Sequence, residues 1–310
     1  HLGHIHWQWG VTTLLIGRVT ALRGVLYAMM QNDLKRLLAY SSIENIGIIF
    51  LGLGLAMIFF ATNHFTAGVI GLTASLYHCL NHSLFKSLLF LGAGAVAHTA
   101  HETDLNHMGG LIRRMPHTAA LFLIGCLSIA ALPPFNGFAS EWLTFQAAIQ
   151  TPSMESGVLR IVISVAAAVL ALAAALGAST FVKVYGTAFL GRGRTRHISH
   201  AREVGWGMRL GQAWLAGLCL LLGLFPPFVV DSLKSVNQML VNVTLPAQTA
   251  GSWLVLAPVS ADTAAYAAPF VIALLLLAAL VVRVMLRLHG NMKTPRRSAP
   301  WDCGFGTLTT

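Results

Sequence analysis

Charge is what this sequence has least of. Only 10% of its 310 residues are Asp, Glu, Lys or Arg, against about 25% in soluble domains. A water-soluble globule needs a polar surface that this chain cannot supply, so an ordinary cytosolic enzyme and a disordered protein are both excluded. Cysteine is scarce as well. Cys79, Cys126, Cys219 and Cys303 form no C-x-x-C pair, which excludes a disulfide-stapled domain, and the first three lie in apolar runs and read as small core residues. No glycine-rich phosphate loop and no nucleophile elbow is present. With no cysteine cluster either, flavin, nicotinamide, iron–sulfur and nickel chemistry has no place here, and no cofactor and no metal are expected. The chain starts at His1 without a basic signal region, and it reads as a piece of a longer protein cut at both ends.

What is there in abundance is apolar sequence: 56% of residues are hydrophobic and the mean hydropathy is +0.70. A bilayer-spanning helix takes about 20 mostly apolar residues. Seven segments qualify, at 10–31, 37–60, 66–97, 118–149, 157–190, 210–230 and 266–288. The net charge of +10 is concentrated in the connectors. Lys35 and Arg36 follow the first segment, Arg113 and Arg114 the third, Arg192 to Arg209 the fifth, and Lys293, Arg296 and Arg297 the seventh. The connectors after the second and fourth hold no Lys or Arg, and the one after the sixth holds Lys234 alone. That alternation is the positive-inside pattern of a chain crossing the membrane once per segment, and no basic face for nucleic acid remains. The expected fold is an all-α, polytopic transmembrane helix bundle, with membrane lipid as its surroundings. The mildly polar stretch 231–265 reads as an external loop. Segments three, four and five exceed 30 residues and could each be tilted, broken or split.

Segment four carries an obvious break, Leu132-Pro133-Pro134-Phe135-Asn136-Gly137, where Pro134 lacks a donor and Gly137 tolerates unusual dihedrals. Broken helices at membrane depth tend to line ion or substrate paths. Pro226-Pro227 reads instead as a helix stop. The sharpest chemical signal is His78-x3-His82-x3-Lys86. Steps of four place the three on one helix face with slight drift, about 6 Å apart along the axis. Such groups are expensive in hydrocarbon, and a row of them is what proton hopping requires. The competing reading is an inert polar seam between helices. Glu141 just after the break is either a candidate proton carrier or an interfacial Glu at a helix end. Glu44 either pairs with Lys35 or Arg36 or feeds protons inward. Lys183, late in segment five, is either in the path or snorkelling. Arg18 and Arg23 stay charged and are expected to pair and to tune their neighbours. His1, His4 and His6, and His98, His101 and His107 with Glu102 and Asp104, match no strong zinc spacing.

Three stretches together are similar to the antiporter-like membrane subunits of respiratory complex I. They are Asn32 to Ser42 (NDLKRLLAYSS), His78 to Phe90 (HCLNHSLFKSLLF) and Leu132 to Glu141 (LPPFNGFASE). The run Lys183-Val184-Tyr185-Gly186 and the late Trp301-Asp302-Cys303-Gly304 resemble the branch found in formate hydrogenlyase and energy-converting nickel–iron hydrogenases. The resemblance implies two five-helix inverted repeats with a broken helix in each. Residues 1–31 would be the last helix of a preceding repeat, 32–190 the second repeat, and 191–310 C-terminal helices, external loop and cytoplasmic tail. It also implies that Lys86 is the lysine of a central hydrophilic axis, flanked by His78 and His82, with Glu141 its acidic member. The partners implied are other membrane subunits and a peripheral redox arm, a hydrogenase or an NADH or formate dehydrogenase module, in a bacterial inner membrane. The family's first-half Glu and Lys match nothing here. A stand-alone cation/proton antiporter and an inert membrane anchor are the alternatives.

Overall fold

The computed structural model describes residues 6–250, 253–259 and 265–289. Among them no strand forms, only isolated bridges at Asp33–Asp104 and Leu256–Tyr266, and the chain is helical as expected. It divides into two compact units, 1–269 and 270–310. The first contains α1 (Trp7–Met30), α2 (Leu34–Ala61), α3 (Phe65–Ala100), α4 (Pro116–Ile129), α5 (Asn136–Ile149), α6 (Gly157–Phe189), α7 (Arg196–His200), α8 (Trp206–Leu224), α9 (Pro226–Ser232) and α10 (Lys234–Val241). The second unit is described by most of α11 (Ala268–His289), whose apolar length is enough for one crossing. Lys293, Arg296, Arg297 and the Trp301 to Gly304 run lie outside the described residues, as do His1 and His4.

The long segments three and five are single helices of 36 and 33 residues. At about 1.5 Å per residue each exceeds the roughly 30 Å hydrocarbon core. Segment four is broken where the prolines stand. α4 ends at Ile129 and α5 begins at Asn136. The unusual dihedral falls on Ala131, at φ 47°, and not on Gly137. Gly137 instead permits a close approach, since a Cβ there would lie 1.9 Å from Ser128 O. α8 covers the break, its Gly223 so close that a Cβ would meet Pro134 O at 2.4 Å. Pro226 stops α8 and opens α9.

α1 and α2 run antiparallel with their backbones in contact. A Cβ on Gly24 would sit 2.3 Å from Glu44 N, and Gly10 and Gly17 repeat the approach at seven-residue intervals against Gly54 and Gly47. Small residues of this kind let membrane helices close in where no hydrophobic effect drives them together.

Three of the four basic connectors come together, as the charge alternation leads one to expect. Leu34 N donates to Thr103 O at 2.9 Å, and Gly110 N to Leu190 O at 2.8 Å. Arg194 Nη1 donates to Leu105 O at 3.1 Å. The connectors after α1, α3 and α6 therefore meet at one end, which carries Lys35, Arg36, Arg113, Arg114, Arg192 and Arg194. The stretch expected to be an external loop is more structured than its polarity suggested. It contains the end of α9 and all of α10, Asn237 Nδ2 donates to Thr73 Oγ1 at 2.8 Å, and Tyr266, just beyond it, packs against Phe138 and Trp142 with ring centroids 5.0 and 5.8 Å apart.

Candidate functional site

Polar side chains in an apolar helix find one another across a packed interface, because lipid offers them no alternative. α2, α3 and α5 meet in such a cluster. His78 (1% exposed), Lys86 (5%), Glu44 (4%) and Glu141 (4%) are all buried in it. The Lys86 ammonium donates to Leu38 O at 2.7 Å and to Ser41 Oγ at 2.5 Å. His78 Nε2 lies 3.1 Å from Asn45 Oδ1, and Nδ1 lies 2.9 Å from Ser140 Oγ. Asn45 Nδ2 donates to Ser41 O at 2.8 Å, which turns its Oδ1 toward the imidazole and assigns the ring proton to Nε2. Asn81 Nδ2 donates to Asn136 O at 2.7 Å and to Ser140 Oγ at 3.0 Å, so a carbonyl in the first turn after the break is satisfied by protein.

The expected His78–His82–Lys86 row is only partly realised. His78 and Lys86 are joined through Ser41 and Asn45 of α2, while His82 is half-buried and packs edge-on to Phe85 at 5.6 Å. Its Nε2 is buried with no hydrogen-bond partner among the described residues. Glu44 does not pair with Lys35 or Arg36, which are exposed at the start of α2. It lies within electrostatic reach of Glu141 and Lys86, and its Oε1 rests where a Cβ on Gly177 of α6 would be, 2.7 Å away.

The other candidates stand apart from this cluster. Lys183 donates to Met29 O at 3.0 Å and to Gln31 O at 3.4 Å. It thus satisfies carbonyls at the C-terminal end of α1, where a cation also complements the helix dipole. Among the described residues Arg18 and Arg23 form no ion pair. The three pairs among the described residues are His107–Glu102, His117–Glu203 and Lys234–Asp231. Arg36 contributes its backbone N–H, not its guanidinium, to Asp33 at 2.8 Å. Ser41, Asn45, Asn136 and Ser140 were not singled out from the sequence. The signal that could have found the first two is their own four-residue spacing on an otherwise apolar helix.

The model of the family described as NADH:quinone oxidoreductase/Mrp antiporter, TM, matches residues 1–171, which include α1 to α5, the break and every residue of the cluster. The chain belongs to that family. It is 40% identical over 304 residues to hydrogenase-4 component B of Escherichia coli, covering 96% of this chain and 44% of that protein. To formate hydrogenlyase subunit 3 of the same organism it is 35% identical over 299 residues, covering 96% and 46%. The chain therefore spans less than half the length of these relatives. Among solved structures, an archaeal membrane-bound sulfane sulfur reductase superposes with a TM-score of 0.76 at 24% identity, over 98% of this chain and 45% of that one. The fold is thus that of an antiporter-like membrane subunit, with the broken helix the sequence led us to expect.

Proposed function

We propose that this chain carries a proton-conducting half of an antiporter-like subunit, in which Glu44, His78, His82, Lys86 and Glu141 hand protons along the membrane interior. The observation that carries this reading is a set of deeply buried titratable groups held by neutral partners. A structural pair of the same residues would be expected to neutralise its charges directly, since burying ions without that is costly.

The surroundings of His78 can accommodate both of its protonation states. In the neutral ring Nδ1 accepts from the Ser140 hydroxyl. When Nδ1 gains a proton, it donates to Ser140 Oγ, and that hydroxyl turns to Gly137 O, 3.1 Å away. No buried group is left unsatisfied by the change, which keeps its cost low. Asn amides do not transfer protons. Asn45 and Ser41 orient His78 and Lys86, and His82, between them on α3 with its open Nε2, bridges the remaining distance through water. We leave Lys183 out of the relay, because its ammonium is committed to helix-end carbonyls.

The five crossings α1, α2, α3, α4–α5 and α6 suit one five-helix repeat better if it starts at α1 than if it starts at residue 32, given the backbone contact between α1 and α2. The basic end would face the cytoplasm of a bacterial cell, and the rest of the subunit, neighbouring membrane subunits and a redox arm of hydrogenase or dehydrogenase type would complete the complex. Electron transfer in that arm would drive the charge shifts here. The test is the number of protons moved per electron pair by the full-length complex in sealed inverted vesicles. Lys86→Ala should reduce it to background while the complex still assembles. An unchanged ratio would overturn the proposal.

A further inference from the structure

A groove of about 380 Å³ lies between the first turns of α4 and α8, at the end of the molecule where the basic connectors meet. Its floor is apolar, formed by Ala120, Leu121, Leu210 and Ala213, and Trp206 and Arg209 stand over it. Trp206 is 70% exposed, as befits an aromatic ring at a membrane–water boundary. Arg209 is half-buried, and its Nε is shielded from solvent with no hydrogen-bond partner among the described residues. A guanidinium nitrogen that is desolvated yet unbonded lacks the acceptor its chemistry calls for. Glu203, on the segment leading into α8, does not supply one. Glu203 accepts from His117 N at 2.8 Å and Thr118 Oγ1 at 2.6 Å and pairs with the His117 ring at 3.5 Å, so it is spent on the α4 N-terminus. Arg113, Arg114 and Arg202 are exposed on the segments leading into the same two helices.

We infer that this groove binds one anionic phospholipid, its phosphate on Arg209 and an acyl chain along the apolar floor. Three features agree on that ligand. The site opens outward from a membrane-spanning bundle at the level of its helix ends. It joins a hydrocarbon-lined trough to an unpaired cation, and it is surrounded by further positive charge. A zwitterionic phospholipid offers the same phosphate but brings a head-group cation that Arg113, Arg114 and Arg202 would repel. A fixed lipid here would tie the half-helix α4, one side of the break, to α8, which covers the break.

The test places a benzophenone amino acid at Leu210, which lines the groove, in the full-length protein within its membrane complex. After illumination, the adduct on the α8 peptide is identified by mass. The expected adduct is an anionic phospholipid, enriched over its share of the bulk membrane. Arg209→Gln should lower that enrichment about fivefold, the effect of one basic group near an anionic lipid surface. Arg202→Gln, outside the groove, should change it less. Zwitterionic lipid in bulk proportion, a cross-link to a neighbouring polypeptide, or no adduct from an assembled complex would each overturn the assignment. None of these outcomes depends on whether the buried cluster conducts protons.

Discussion

The basic end and the interior of this bundle treat charge in opposite ways. At the basic end carboxylates are accessible and fully occupied. Burial pushes the Asp33 carboxyl up, but bonds from Thr103 Oγ1 at 2.6 Å and Arg36 N at 2.8 Å outweigh it and hold it below the usual carboxylate range. Glu203 behaves the same way, its partial burial outweighed by Thr118 and the backbone N–H groups of His117 and Thr118. In the interior, where an ion costs most, Lys86 is held by a carbonyl and a hydroxyl, and Glu44 and Glu141 form no ion pair among the described residues. Selection for stability alone would leave apolar side chains in the interior instead. Groups that must change charge cannot be locked to a permanent counter-ion, which is the arrangement the proposed proton path requires.

Substitutions can break or sharpen the contrast. Glu141→Gln keeps the size of the side chain and removes its proton, and translocation by the full-length complex should fall roughly 10²-fold, the usual worth of a positioned proton-transfer group, as measured by a pH-sensitive dye in vesicles. Ser140→Ala removes the hydroxyl that lets His78 hold a proton at Nδ1. The expected loss is about tenfold, one hydrogen bond to a charged group, with a changed pH profile, whereas a merely structural Ser would change yield and leave the profile intact. Gly177→Ala places a methyl group on the Glu44 carboxylate and should force its side chain off its preferred rotamer, slowing translocation about fivefold. In a Glu44→Gln background the added loss should shrink, and simple additivity would count against the contact.

The smallest effect belongs at a paired site. Partial burial acts to raise the Asp231 carboxyl, but bonds from Thr249 Oγ1, Gln248 N and Lys234 bring it down to about 2 from an ordinary 3.8. A lowered folded-state value means the carboxylate contributes stability at neutral pH that persists down to about pH 4 and is lost as the pH falls toward 2. Asp231→Asn should therefore loosen residues 248–249, at a cost of about 2 kcal/mol or less, seen as faster amide exchange there, with translocation unchanged.

Much of this was legible in the residues themselves. The connectors gave the alternation because Lys and Arg cross membranes poorly. The proline pair marked the break because it removes donors the bilayer cannot replace. The four-residue spacing brought Lys86 and His78 to one buried face. What the sequence concealed depends on neighbours. Nothing local says that Asn45 and Ser140 would clasp His78 from two other helices, that Lys183 would find the α1 carbonyls 154 residues earlier, or that Gly137 would serve close approach while Ala131 took the positive φ. Residues 231–265 looked solvated because their own composition is polar, yet Thr73 gives Asn237 a partner and the Phe138–Trp142 face holds Tyr266 just beyond.

The most direct measurement of the central claim is an infrared difference spectrum of the full-length complex between resting and turning-over states, in H2O and D2O. The account predicts a carboxyl C=O band that shifts on deuteration, is altered by Glu44→Gln and disappears with Glu141→Gln, marking a buried acid that gains and loses its proton during turnover. A band that survives both substitutions, or no carboxyl signal in an active complex, would contradict it.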